Sequence, residues 1–250
     1  MSTTKTIGYL LIAGAVGVLV PYTILTFTFN YPDILRAETG TILANYHAGG
    51  TGLVLTWFAF ALLGLPLLPA YILIGQRVEA RMPHSKWIIT VGVVSILAQF
   101  IGLLRWVFVV PVLARRFVSA DDTTVRESIK ISFELVHQFA GVLIGEHIGQ
   151  LFTIIWTVSV SIALVKQSMI PKWLGVWGLI SSTIYFLAQA ELLNTVIPGF
   201  PKSNIAGFLG STLWLLWLVL VGINFLLIDR NRKFTNIVEH QDFSRSSLQA

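Results

Sequence analysis

Residues 137–149 read HQFAGVLIGEHIG, so His137, Glu146 and His147 sit in a run whose other residues suit hydrocarbon. A carboxylate beside an imidazole can accept and return a proton, and burial favours the uncharged form of each. Glu146 and His147 are therefore the candidate catalytic residues. Arg105 is another ionisable group inside an apolar run, and an arginine does not readily shed its proton. It needs a carboxylate or access to water. Glu146 is the first candidate partner and Glu191 the second. Either pairing also reads as a structural ion pair that fixes helix register. An arginine so held can bind an anionic or carbonyl-bearing group, and Glu191, Asn194 and Trp106 are the other candidate ligand-binding residues.

His47 and His137 are candidate metal or haem ligands. The competing reading is two interfacial histidines bonded to backbone or water. His137 and His147 are ten positions apart, roughly 15 Å along a helix, and cannot hold one ion together. Glu134-Leu135-Val136-His137 has the Glu-x-x-His spacing of di-iron bundles, but those use two copies and the chain has one.

Only membrane helices can position these groups. Of 250 residues, 55% are apolar and 12% charged, too few polar groups to cover a water-facing surface. Six apolar segments, 7–29, 49–75, 87–113, 135–165, 173–195 and 205–228, are each long enough to cross about 30 Å of hydrocarbon. A spanning segment must satisfy its own backbone, so all six are helices. The expected fold is an all-α integral membrane bundle of six transmembrane helices over 1–228, with a polar, partly disordered cytoplasmic tail over 229–250. The apolar run before Ala13-Gly14-Ala15 is too short for a secretory signal. Ten basic residues at one set of ends, among them Arg77, Arg81, Lys86, Lys166 and Lys172, oppose six at the other, Arg36, Arg115, Arg116, Arg126, Lys130 and Lys202. This excess predicts that both termini are cytoplasmic.

In that orientation Arg105 lies roughly 12 Å below the outer end of span three, and Glu146 and His147 roughly 14 Å below His137. Glu191 and Asn194 are near the outer end of span five, and His47 just precedes span two. The costly groups gather in the outer half, which predicts a polar pocket open to the outside. Thr124-Val125-Arg126-Glu127 fits a capping box, so a helix is expected to start before span four and run into it. Gly141, Gly145 and Gly149 form a helical stripe that admits a close neighbour, with His147 pointing away. Gly64, Pro66, Pro69 and Pro111 predict kinks. Lys86-Trp87 and Lys172-Trp173 open spans three and five, and Gly92, Ser95 and Arg105 align with Gly178, Ser181 and Glu191 at equal offsets. The match reads either as a repeat remnant or as shared anchor chemistry at the membrane surface.

The chain has no cysteine, which removes disulfides, thiolate metal sites and thiol nucleophiles. Its net charge of +5 sits in short loops beside the spans and does not indicate nucleic acid. Phosphate-binding glycine loops, nucleophile elbows and His-Glu-x-x-His pairs are absent from the sequence. The segments LLGLPLLPAYILIG (62–75), LLRWVFVVPVLA (103–114) and GEHIGQLFTIIW (145–156) resemble a bacterial multi-pass membrane family known only as a domain of unknown function. That resemblance implies about six helices in a bacterial inner membrane and transfers no catalytic role. The expected function is a pocket that binds or transforms a small amphiphile of the quinone or lipid class, with the bilayer as its surroundings. The alternatives are a non-catalytic subunit or assembly factor of a membrane complex, suited by the glycine stripe, and a haem- or metal-binding redox protein. The sequence fixes no cofactor.

Overall fold

A computed structural model of the chain describes residues 2–203 and 205–247, with side chains as far as Asp229. It is 85% helical, and no strand occurs among the described residues. Six helical stretches are long and apolar enough to cross a membrane, and this is a multi-pass membrane protein. Span one is α1 (Thr3–Phe29). Span two is α2 (Thr39–Leu63) and α3 (Leu67–Glu79), span three α4 (Trp87–Phe108) and α5 (Val110–Ser119). Span four joins α6 (Thr123–Val136), a π-helical segment (His137–Ile148) and α7 (Gly149–Lys166). Span five is α8 (Lys172–Leu187) and α9 (Gln189–Asn194), and span six lies in α10 (Ala206–Ser247).

Local chemistry sets these boundaries. Glu38 caps α2 by accepting the Thr41 N–H at 2.8 Å. Span two therefore starts ten residues earlier than apolarity suggests, and His47 lies inside a helix rather than before one. Pro66 heads α3 and Pro111 stands in the first turn of α5, both at predicted kinks. The long helix into span four forms as expected, but its cap is Asp122, which accepts the Thr124 N–H at 2.6 Å, rather than the anticipated Thr124 box. The backbone of α10 runs without a break past 229, so the polar tail is continuous with the last span, and residues 248–250 lie outside the described residues.

The six spans form a closed ring in chain order. α1 packs on α2, α2 on α4, α4 on the π segment and α7, α7 on α8, α8 on α10, and α10 returns to α1. The two ends of the ring differ inside. Toward the N-terminus of α1 the interior is filled. Tyr71 stacks on Trp156 with ring centroids 3.4 Å apart, Trp217 meets Trp156 edge-on, and Ile7, Leu11, Leu174 and Phe225 close around them. Toward the connection between spans one and two, the ring holds a cavity.

Candidate functional site

The cavity has a volume of about 380 Å³ and is lined by residues from all six spans and the first connection. Its walls are mostly aromatic and aliphatic, including Trp57, Phe60, Ile96, Trp106 and Trp214, while Asp33, Arg36, Arg105, Glu146, Gln150, Glu191 and Lys202 supply polar groups. Both size and lining are those of small-molecule sites.

The glycine stripe builds the charged end. A Cβ on Gly145 would lie 2.9 Å from the Gly102 Cα, and one on Gly149 2.6 Å from the Gln99 side chain. A Cβ on Gly141 would lie 2.5 Å from the Arg105 guanidinium. The three glycines thus seat α4 against span four and leave room for Arg105 to lie flat on that helix. Arg105 is 6% exposed. It donates to the Gly102 carbonyl, and its guanidinium carbon is 5.2 Å from the Trp106 ring centroid, within cation–π range. Trp106 in turn stacks on Trp57 at 4.7 Å.

Glu146 sits between two cations. Its Oε2 is 2.5 Å from Arg36 Nη2, and its Oε1 is 4.0 Å from Arg105 Nη2. Arg36 Nε also donates to Glu191 at 3.1 Å. The group comprises two arginines and two carboxylates and has no net charge. Arg105 does face Glu146, but the shorter contact belongs to Arg36. Glu191, the second candidate for Arg105, pairs with Arg36 instead. Burial works against the charge on Arg36, and the Glu146 carboxylate outweighs it, so the Arg36 pKa is raised. The neighbouring Tyr31 phenol is also held protonated, first by burial and then by the charge of Glu146.

In the sequence Arg36 reads only as a loop charge. It stands in a helical turn, Asp33–Arg36, whose Ile34 and Leu35 are buried. That pins the first connection over the cavity and turns Arg36 inward. Two large aliphatic residues before an arginine in a nine-residue connection were the available signal.

The other predicted residues go elsewhere. His147 does not pair with Glu146 and does not line the cavity. Its Nδ1 donates to Gln189 Oε1 at 2.7 Å, and Gln189 passes a bond to Gln150 at 2.9 Å. Adjacent helical residues point in different directions, and the i→i+5 bonding of residues 137–148 departs from the α-helical wheel used to place them. Asn194 donates to the Phe200 carbonyl at 3.0 Å and holds its local turn rather than lining the cavity. His137 is buried against Phe133 and Trp106, and neither of its ring nitrogens has a hydrogen-bond partner. His47 is exposed. Among the described residues no three His, Cys, Asp or Glu side chains gather as a metal site, so the pairing of His47 with His137 gains no further ligand.

Fold and site together define a class: a ring of six membrane helices around an internal, half-polar cavity. The chain belongs to the family described as a domain of unknown function, DUF4386, which it matches over residues 6–222. No curated protein and no solved structure matches it.

Proposed function

We propose that this protein binds a small amphiphile of the quinone or lipid class in the ring cavity, head group at the Arg36–Glu146–Arg105 end. In this reading the mouth faces the outside of a bacterial inner membrane, as the distribution of lysine and arginine between the loops favours. The observation that carries the proposal is the joining, in one cavity, of an aromatic wall to a neutral cluster of four charges. A charge that served only helix register would need no adjoining void. The glycine stripe, which made a subunit or assembly role attractive, is taken up by α4 of the same chain, so that alternative loses its support. Nor does the histidine geometry favour a metal or haem reading.

The test is native mass spectrometry of the purified protein through successive delipidation. The wild type is expected to keep a small amphiphile that Arg105→Leu/Glu146→Leu releases, with both proteins still folded. Equal retention by a folded double variant would overturn the proposal.

A further inference from the structure

This inference rests on the ligand-binding reading and concerns the cavity wall beyond the charged cluster. Gln99 on α4 and Gln150 on α7 both line the cavity. They are neighbours, since a Cβ on Gly149, the residue before Gln150, would lie 2.6 Å from the Gln99 Cγ. Gln150 follows Glu146 by about one helical turn, and Gln99 precedes Arg105 by roughly 9 Å of helix. The pair therefore lies deeper than the cluster, toward the filled end of the ring.

Each amide is held in one sense. Gln99 Nε2 donates to the Thr153 hydroxyl at 2.9 Å and to the Ser95 carbonyl at 3.3 Å, so its hydrogens are spent and Oε1 is the end left over. Gln150 Oε1 accepts from Gln189 Nε2 at 2.9 Å, and Gln189 Oε1 accepts from His147 Nδ1 at 2.7 Å. Gln189 is 8% exposed and lies between the two. A carboxamide has one donor end and one acceptor end, so the sense set at His147 passes along the chain and leaves the Gln150 Nε2 over. Neither leftover end has a partner among the described residues, and neither is closed off in the packing; each opens on the cavity that its residue lines.

The wall thus offers an amide donor and an amide acceptor side by side, below the cluster that takes the head of a bound amphiphile. At that depth the head gives way to the tail, and the group presented there is the linkage between them. A linkage that answers both ends has a carbonyl oxygen beside an N–H. An ester supplies the carbonyl alone, and an ether supplies neither.

We infer that Gln99 and Gln150 read the head-to-tail linkage of the bound amphiphile, and that the linkage they fit is an amide. Its carbonyl accepts from Gln150 Nε2, and its N–H donates to Gln99 Oε1. His147 and Gln189 are positioning residues: they do not line the cavity, and they set which end of the Gln150 amide faces it.

An isosteric series tests this on the delipidated protein: the decanoyl amide of ethanolamine, the decanoyl monoester of ethylene glycol and the monodecyl ether of that glycol, with retention read by native mass spectrometry. The three share head, tail length and absence of charge, so Asp33, Lys202 and the arginine cluster act on them alike. The wild type is expected to hold the amide over the ester and the ester over the ether, each step by about threefold to tenfold, the effect of one hydrogen bond. Gln99→Met should erase the preference for amide over ester, and Gln150→Met that for ester over ether. His147→Phe, which touches no probe, should lower the ester-to-ether ratio, and an unchanged ratio would overturn its positioning role. Each variant is scored by a ratio of two probes, so a general loss of affinity or of folded protein cancels. Equal binding of the three by the wild type, or ratios unchanged in both glutamine variants, would overturn the linkage assignment and leave an amphiphile site in place. Identical retention of all three by wild type and by Arg105→Leu/Glu146→Leu would overturn the underlying reading as well.

Discussion

α4 and α8 are the same frame used twice with opposite charge. Each opens on Lys-Trp and carries Gly-x-x-Ser at one offset. In each the serine hydroxyl donates back to the glycine carbonyl, at 2.9 Å from Ser95 to Gly92 and 3.0 Å from Ser181 to Gly178. In each the missing Cβ is filled by an indole from a neighbouring span. A Cβ on Gly92 would lie 2.7 Å from Trp156, and one on Gly178 2.9 Å from Trp217 Nε1 and 2.1 Å from the Ser161 hydroxyl. Anchor chemistry at the membrane surface explains the Lys-Trp pairs but not these contacts inside the ring. The frames part at the other end. Thirteen residues beyond the glycine stands Arg105 in one and Glu191 in the other, and both join one cluster through Glu146 and Arg36. Packing is shared between the frames, and charge divides them.

Removing a charge tests that division most sharply. Glu146 is the one carboxylate paired with Arg105 among the described residues. Glu146→Leu leaves Arg36 with Glu191 and strands Arg105, which is 6% exposed. Breaking a buried pair this way costs about 3–5 kcal/mol. Glu191→Leu leaves Glu146 in place on both arginines, and the lost carboxylate is 28% exposed, so about 1 kcal/mol is expected. Arg105→Leu/Glu146→Leu removes one charge of each sign, keeps Arg36 with Glu191, and should recover most of the loss. Thermal unfolding in detergent reads all three. If Glu146→Leu is no worse than Glu191→Leu, the cluster does not depend on Glu146 as described.

Much of this could be read from the sequence, and the failures share a cause. Six spans, the kinks at Pro66 and Pro111, the glycine stripe and the shared depth of Arg105 and Glu146 follow from apolar runs, backbone chemistry and position in the bilayer. Those are properties of single helices. Arg36 escaped notice because a short loop has no periodicity to say which way a side chain turns. For His147 and Asn194 the sequence offers depth alone, which says how far a residue lies along the normal and not which neighbour it meets. The π segment added to this, since wheel positions computed for an α-helix do not hold across His137–Ile148.

The shared packing is tested next. Gly92→Ala pushes a methyl into the Trp156 edge and Gly178→Ala pushes one into the Ser161 hydroxyl and the Trp217 edge, and overpacking of this kind costs about 1–3 kcal/mol. The two losses should be of similar size. Gly52, around which a Cβ would meet nothing within 4 Å, is the control, and Gly52→Ala should cost nothing measurable. A large loss at one frame and none at the other would reduce the likeness of α4 and α8 to their sequences.

The smallest effect lies where the two frames differ in hydrogen bonding. Trp217 Nε1 donates to the Leu174 carbonyl at 2.9 Å. Trp156 Nε1, at the matching glycine, has no acceptor, and the ring is held instead by stacking on Tyr71. Replacing either by phenylalanine removes similar ring volume, so the cavity terms largely cancel in the difference. What survives is one made hydrogen bond against one unmade one. Trp217→Phe should therefore be the more destabilising by about 1 kcal/mol, since it gives up a bond while Trp156→Phe removes a donor that was already unsatisfied. Equal losses would mean that the indole at Gly92 has a polar partner after all, and that the two frames match in bonding as closely as in packing.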